Sequence, residues 1–139
     1  MRKLILLIFF ILCGCSSKTF LICNYTDTNN IYGSSDIVDT LKFDNDVLIY
    51  YERLETVNIN SSSKKNINYV YKIKKTEGKL FKSTISHSKY KVFKNNNIVS
   101  LKLFLDIKSD TNLSSILIDT KLNYDEMYDR YLDYGYSCK

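Results

Sequence analysis

The stretch IVSLKLFLDI, Ile98 to Ile107, places Val99, Leu101, Leu103, Leu105 and Ile107 on one side of an extended chain. Apolar residues recurring with period two mark a strand that turns one face to the core. Upstream, Lys89 to Phe93 and the turn-forming Lys94-Asn95-Asn96-Asn97 complete a hairpin with it. A second hairpin lies earlier in the chain. Ile37 to Phe43 alternates, with Ile37, Leu41 and Phe43 on one face and Thr40 and Lys42 on the other. Asp44-Asn45-Asp46 tolerates the positive φ of tight turns, and Val47 to Asn58 returns. The apolar parity of that return changes from Val47, Ile49 and Tyr51 to Leu54, which predicts a bulge or bend near Glu52. Ahead of both hairpins, Lys18 to Thr26 is rich in β-branched and aromatic residues and reads as a further strand, followed by a polar loop from Thr28 to Asp36.

Two segments carry helical spacing. Ser61-Ser62-Ser63 precedes a run to about Lys82 in which Val70, Ile73, Leu80 and Phe81 share one side and Lys72, Lys75, Lys79 and Lys82 the other. Gly78 interrupts this run, and Tyr69, Tyr71 and Ile73 also alternate as a strand would, so both readings stand at this point. Near the C-terminus Asn123 is a suitable N-cap, Asp125 and Glu126 suit the first turn, and Gly135 supplies a left-handed stop. Tyr124, Met127, Tyr128, Tyr131 and Leu132 form the apolar stripe between them. Ser109 to Asn112 is turn-like, and Leu113 to Ile118 is a short apolar run read as irregular. The predicted order is β-β-β-α-β-β-α, an α+β fold with an antiparallel sheet of about five strands and two helices packed on it.

The first fifteen residues belong to no element of that sheet. Arg2 and Lys3 give a positive start, Leu4 to Leu12 is unbroken and apolar, and Leu12-Cys13-Gly14-Cys15 ends it with a small residue before a cysteine. These are the parts of a secretory signal, expected to form a helix. The apolar run is shorter than the roughly 20 residues a membrane-spanning helix needs. Its ending resembles a bacterial lipobox, which implies cleavage before Cys15 and a diacylglyceryl thioether on that sulfur. Residues 1–14 are therefore expected to be a signal peptide, and residues 15–139 a single extracytoplasmic domain tethered to the outer face of a membrane.

Composition agrees with one exported globular domain. At 45% apolar and 25% charged residues the chain lies in the globular range, and with no proline nothing marks a rigid linker. The net charge of +5 falls to about +3 once Arg2 and Lys3 leave with the signal, too mild for a nucleic-acid-binding surface. Of the four cysteines, cleavage discards Cys13 and lipid consumes Cys15, leaving Cys23 in the first strand and Cys138 near the C-terminus. A bridge between them would persist outside the cell and join the two ends of the domain, a contribution on the order of 4 kcal/mol. A redox pair would want adjacent thiols, and C-x-x-C is missing.

No catalytic or cofactor motif stands out. His87, the single histidine, sits between Ser86 and Ser88 in a predicted loop and reads as solvated, with no spacing that suggests a triad. Asp44-Asn45-Asp46 opens like a calcium loop but lacks its glycine and distal glutamate, so a hairpin turn is the better reading. Asp125, Asp129 and Asp133 line the wet side of the last helix. Zinc is disfavoured, since two bridged sulfurs cannot ligate it. The lysines Lys72, Lys75, Lys79 and Lys82, with Lys89, Lys91 and Lys94, are a solvated face that would also attract anionic lipid or an anionic polymer, at about 1 kcal/mol per residue near a charged surface. Twelve tyrosines fill the core and are numerous enough to furnish a platform for glycan or peptide.

With the lipobox Leu12 to Cys15, the hairpin LKFDNDVLIYYE (Leu41 to Glu52), the strand SLKLFLDI (Ser100 to Ile107) and the ending YLDYGYSCK (Tyr131 to Lys139), the chain resembles small lipoproteins of low-GC Gram-positive bacteria, similar to the YehR-like family. The resemblance implies a fold and a location. That family has no agreed activity, so it implies no catalytic residue, and Gly78 departs from its usual pattern. The expectation is a lipid-anchored, non-enzymatic binding or accessory module of the cell envelope, without cofactor or nucleic acid, whose partners are membrane lipid through Cys15 and an anionic polymer or protein of the envelope. An envelope hydrolase or hydrolase inhibitor is one alternative, and a secreted soluble protein without a lipid anchor is another.

Overall fold

Six strands and two helices follow one another as β1 (Phe20–Asp27), β2 (Gly33–Asp44), β3 (Val47–Ile59), α1 (Lys64–Thr84), β4 (Ser88–Asn95), β5 (Ile98–Asp106), α2 (Tyr124–Asp133) and β6 (Ser137–Cys138). The computed structural model describes residues 19–60, 63–107, 118–119 and 121–139. The predicted signal peptide, Cys15 and Leu113 to Leu117 lie outside these. The fold is α+β, and all strands join one open antiparallel sheet in the order β4-β5-β3-β2-β1-β6.

Both helices cover the same face. Phe81 of α1 and Met127 and Tyr131 of α2 share one core with Leu21, Leu41, Leu101 and Leu105, one apolar residue in two along each strand. A smaller cluster of Val57, Ile59, Val70 and Val99 lies under the first half of α1. The residues between these core positions, among them Phe20, Lys42, Glu52, Lys102 and Phe104, form the opposite face.

Local chemistry explains the boundaries. At Asn45 (φ 49°) and Asp46 (φ 63°) two consecutive residues adopt the left-handed conformation that joins β2 to β3 without splaying the strands. α2 opens with a capping box. The Glu126 N–H donates to Asn123 Oδ1 at 3.0 Å, and the Asn123 N–H donates to Glu126 Oε2 at 3.0 Å. It closes in a Schellman motif around Gly135 (φ 81°), with Gly135 N–H to the Leu132 carbonyl at 2.9 Å and Tyr136 N–H to the Tyr131 carbonyl at 3.0 Å. That turn reverses the chain into β6. Ser88 satisfies the end of α1 by donating to the carbonyl oxygens of Ile85 (2.6 Å) and Phe81 (3.3 Å).

Several expectations are corrected. The sheet has six strands rather than about five, because Ser137–Cys138 pairs with Asn24 and Cys23 of β1 after the last helix. β2 begins at Gly33, inside the segment expected to be loop, because Ser34 to Asp36 pair across to Thr56 to Asn58. The bulge sits at Ile49, where the pairing jumps from Phe43–Leu48 to Lys42–Tyr50, three residues before Glu52. Leu48 rather than Val47 is consequently the buried residue, and Val47 is exposed. In α1 Leu80 points to solvent, and in α2 Leu132 is half exposed.

The segment whose type stayed open is a helix, and Gly78 belongs to its packing. A Cβ at this position would run into the Tyr90 ring on β4. The missing side chain therefore sets how closely helix and sheet approach. Gly78→Ala is expected to destabilise the domain by about 1–3 kcal/mol through overpacking, although alanine is the better helix former by roughly 1 kcal/mol. Chemical denaturation checks this, and a stabilised variant would contradict the close approach.

Candidate functional site

The edge strand β4 and the end of α1 border a cleft of about 450 Å³. Lys82 reaches it from the last turn of α1, while Lys89 and Lys91 come from β4 and His87 from the connection between them. Tyr50, Tyr90 and Phe104 supply ring surface, and Asp106 a carboxylate. Tyr50 and Asp106 are paired residues on adjacent strands, so the phenol and the carboxylate stand side by side.

Charge in the cleft is mostly positive. Lys82, Lys89 and Lys91 make no ion pair among the described residues. The ammonium groups of Lys91 and Lys102 lie 6.0 Å and 5.1 Å from the centroid of the Phe104 ring, within cation–π range. Lys102 is neutralised by Glu52 at 2.7 Å. Glu52 also accepts a hydrogen bond from the Tyr50 hydroxyl at 2.9 Å. Burial, that hydrogen bond and the charges of Glu52 and Asp106 push the Tyr50 phenol up to about 12, so it stays protonated at neutral pH. Such a site offers cations and stacking surface to a ligand.

The sequence placed Lys72, Lys75, Lys79 and Lys82 along α1, and all four are exposed. The structure divides them: Lys82 lines this cleft, and Lys72 borders a separate apolar hollow with Tyr69, Ile73 and Leu80. Lys94 lies apart, hydrogen-bonded to Asn68 at 2.6 Å. His87 is exposed in a turn with φ 60° and lines the cleft. Cys23 and Cys138 are directly paired in the register of β1 and β6, with their sulfurs 2.04 Å apart. Among the described residues no group of three or more His, Cys, Asp or Glu converges in a way that would hold a metal ion, and no helix is long and apolar enough to cross a membrane.

A second polar assembly was missed in the sequence. Asp39 is fully buried on the core face of β2. Arg53, its partner in the register of β3, donates from Nε at 2.8 Å and from Nη2 at 2.7 Å. The hydroxyls of Tyr51 (3.2 Å) and Tyr131 (2.9 Å) donate to the same carboxylate. Arg53 also reaches the Tyr136 hydroxyl at 3.4 Å. Burial works against the Arg53 charge, but the Asp39 hydrogen bonds and the neighbouring Tyr51 and Asp39 together hold its proton more tightly than usual. Burial, then the Asp39 charge, raises the Tyr51 and Tyr131 phenols. Among the described residues no buried side-chain polar atom lacks a partner, so the assembly serves to tie α2 to the sheet. A signal existed: Asp39 has the same strand parity as Ile37, Leu41 and Phe43, which places an acid on the core face.

A third cluster joins α1 to the same face. Lys74, outside the predicted stripe, lies 2.7 Å from Glu55 and 2.8 Å from Glu77, and Ser35 donates to Glu55 at 3.2 Å. Burial opposes the Lys74 charge, and the two glutamates outweigh it and raise the ammonium above its ordinary value.

Among the described residues, an α+β fold with one helix-covered sheet face carries a basic, aromatic cleft at the sheet edge. No family model, curated protein or solved structure matches the chain.

Proposed function

We propose that the chain is a membrane-anchored extracytoplasmic lipoprotein that acts as a non-enzymatic binding or accessory module of the cell envelope. The observation that carries this reading is the arrangement of Arg2 and Lys3, the apolar run Leu4 to Leu12 and Leu12-Cys13-Gly14-Cys15. It is the sequence expected of a signal that is cut before Cys15, with lipid added to that sulfur. The facing positions of Cys23 and Cys138 support the same compartment, because a disulfide persists there and not in a reducing cytosol. A cleft with aromatic walls, whose lysines make no ion pair among the described residues, supports binding as the role.

The lipid anchor is tested by fractionation in a Gram-positive host. Cys15→Ala, or globomycin treatment of the unaltered protein, should leave full-length precursor in place of the processed form, and Cys15→Ala should remove the acyl-chain label. Unchanged processing and unchanged membrane retention in both cases would refute the anchor.

A further inference from the structure

The cleft combines three features that one ligand class satisfies together. Lys82, Lys89 and Lys91 present ammonium groups with no ion-pair partner among the described residues. These suit phosphate, which accepts several charge-assisted hydrogen bonds. Phe104 and Tyr50 line the cleft with ring surface, against which the C–H face of a sugar or polyol can pack. Asp106 offers a carboxylate, the natural acceptor for a hydroxyl. At about 450 Å³ the cleft is within the range of small-ligand sites, and it holds one or two such units.

A headgroup that offers phosphate alone would satisfy only the lysines. It would leave the rings and the carboxylate unused. A neutral glycan would use the rings and leave the three ammonium groups unpaired. A ligand that alternates anion with hydroxylated carbon engages all three features. The cleft opens on the exposed edge strand β4, so a linear chain can run past it without threading.

We propose that this cleft binds the repeating unit of a linear sugar-phosphate or polyol-phosphate polymer, with the phosphate at Lys82, Lys89 and Lys91 and the carbon skeleton against Phe104 and Tyr50. The assignment rests on the envelope reading above, because such polymers are met outside the membrane. The mass of the mature N-terminus tests that reading independently, so its failure is distinguishable from failure of the site.

The test is calorimetric titration of the mature protein in detergent with poly(glycerol phosphate), with dextran and phosphatidylglycerol mixed micelles as comparisons. The polymer should bind, and dextran should not. Lys89→Glu/Lys91→Glu should weaken polymer binding at least tenfold. Lys72→Glu/Lys75→Glu, which changes the net charge equally, should weaken it less than threefold. Phe104→Leu should weaken it severalfold without altering its salt dependence. Lys82→Glu, on the helix, provides an independent check should the β4 variant fail to fold, and should cost threefold or more. Equal losses from the two double charge reversals would reduce the effect to diffuse electrostatics and overturn the site. So would absence of polymer binding, or binding of the micelles with the same mutational pattern.

Discussion

Asp39→Ala is expected to lower the free energy of unfolding by about 3–5 kcal/mol, the usual consequence of removing one partner of a buried ion pair. The carboxylate is fully buried, whereas the Arg53 side chain keeps 23% of its surface in solvent. Loss of the acid thus leaves a guanidinium that water can partly reach and two phenol hydroxyls, from Tyr51 and Tyr131, whose acceptor has gone. Each such hydroxyl costs about 1–3 kcal/mol if nothing replaces the bond. Adding Arg53→Met to Asp39→Leu should recover part of the loss, because it removes the stranded cation. Urea denaturation of the single and double variants measures both effects. A cost below about 1 kcal/mol for Asp39→Ala would mean that the carboxylate does not hold α2 to the sheet.

The second large effect concerns Cys23 and Cys138, which are 115 residues apart. A bridge closing so long a loop restricts the unfolded chain by about 4–5 kcal/mol on the loop-entropy account. Reduction, or Cys23→Ala/Cys138→Ala, should lower stability by about 3–5 kcal/mol and raise the denaturant slope, since the unbridged chain exposes more surface. The loss should first be felt in β6. That strand is two residues long and is otherwise secured by reciprocal backbone bonds between Ile22 and Lys139, at 3.1 Å and 3.0 Å. Tyr136, packed edge-on to Tyr131 with centroids 4.9 Å apart, should loosen with it. Hydrogen exchange at Ile22 and Lys139 would report this directly. Identical denaturation midpoints with and without reductant would contradict the account.

These elements also show what the sequence could disclose. β5 and α2 were legible because each carries an unbroken period, two in one case and the helical repeat in the other, with Asn123 and Gly135 marking the ends of the helix. The start of β2 was not, since Gly33-Ser34-Ser35-Asp36 has turn composition and becomes a strand only by pairing with β3. The bulge was displaced because Val47 is apolar yet exposed beside a tight turn, so the apparent parity began on the wrong face. β6 is too short to show any period. Cys138 was the one sign of its position.

The candidate site was legible in part. A lysine surface was foreseen, but periodicity along one helix cannot show that Lys82 faces residues from β4, β3 and β5, which meet only through the sheet order. Gly78 looked like a defect in a helix and instead fits that helix against Tyr90, a residue of the cleft wall. Asp39 and Arg53 were the least legible, because buried charges are rare enough that a charged residue in a strand is read as outward-facing.

The most direct measurement is the intact mass of the protein purified from membranes under non-reducing conditions. The account predicts a chain beginning at Cys15, heavier by a diacylglyceryl group and any further acylation, and lighter by two hydrogens for the bridge between Cys23 and Cys138. An unmodified chain starting elsewhere would contradict the anchor, and two free thiols would contradict the closure of the domain by its C-terminal strand.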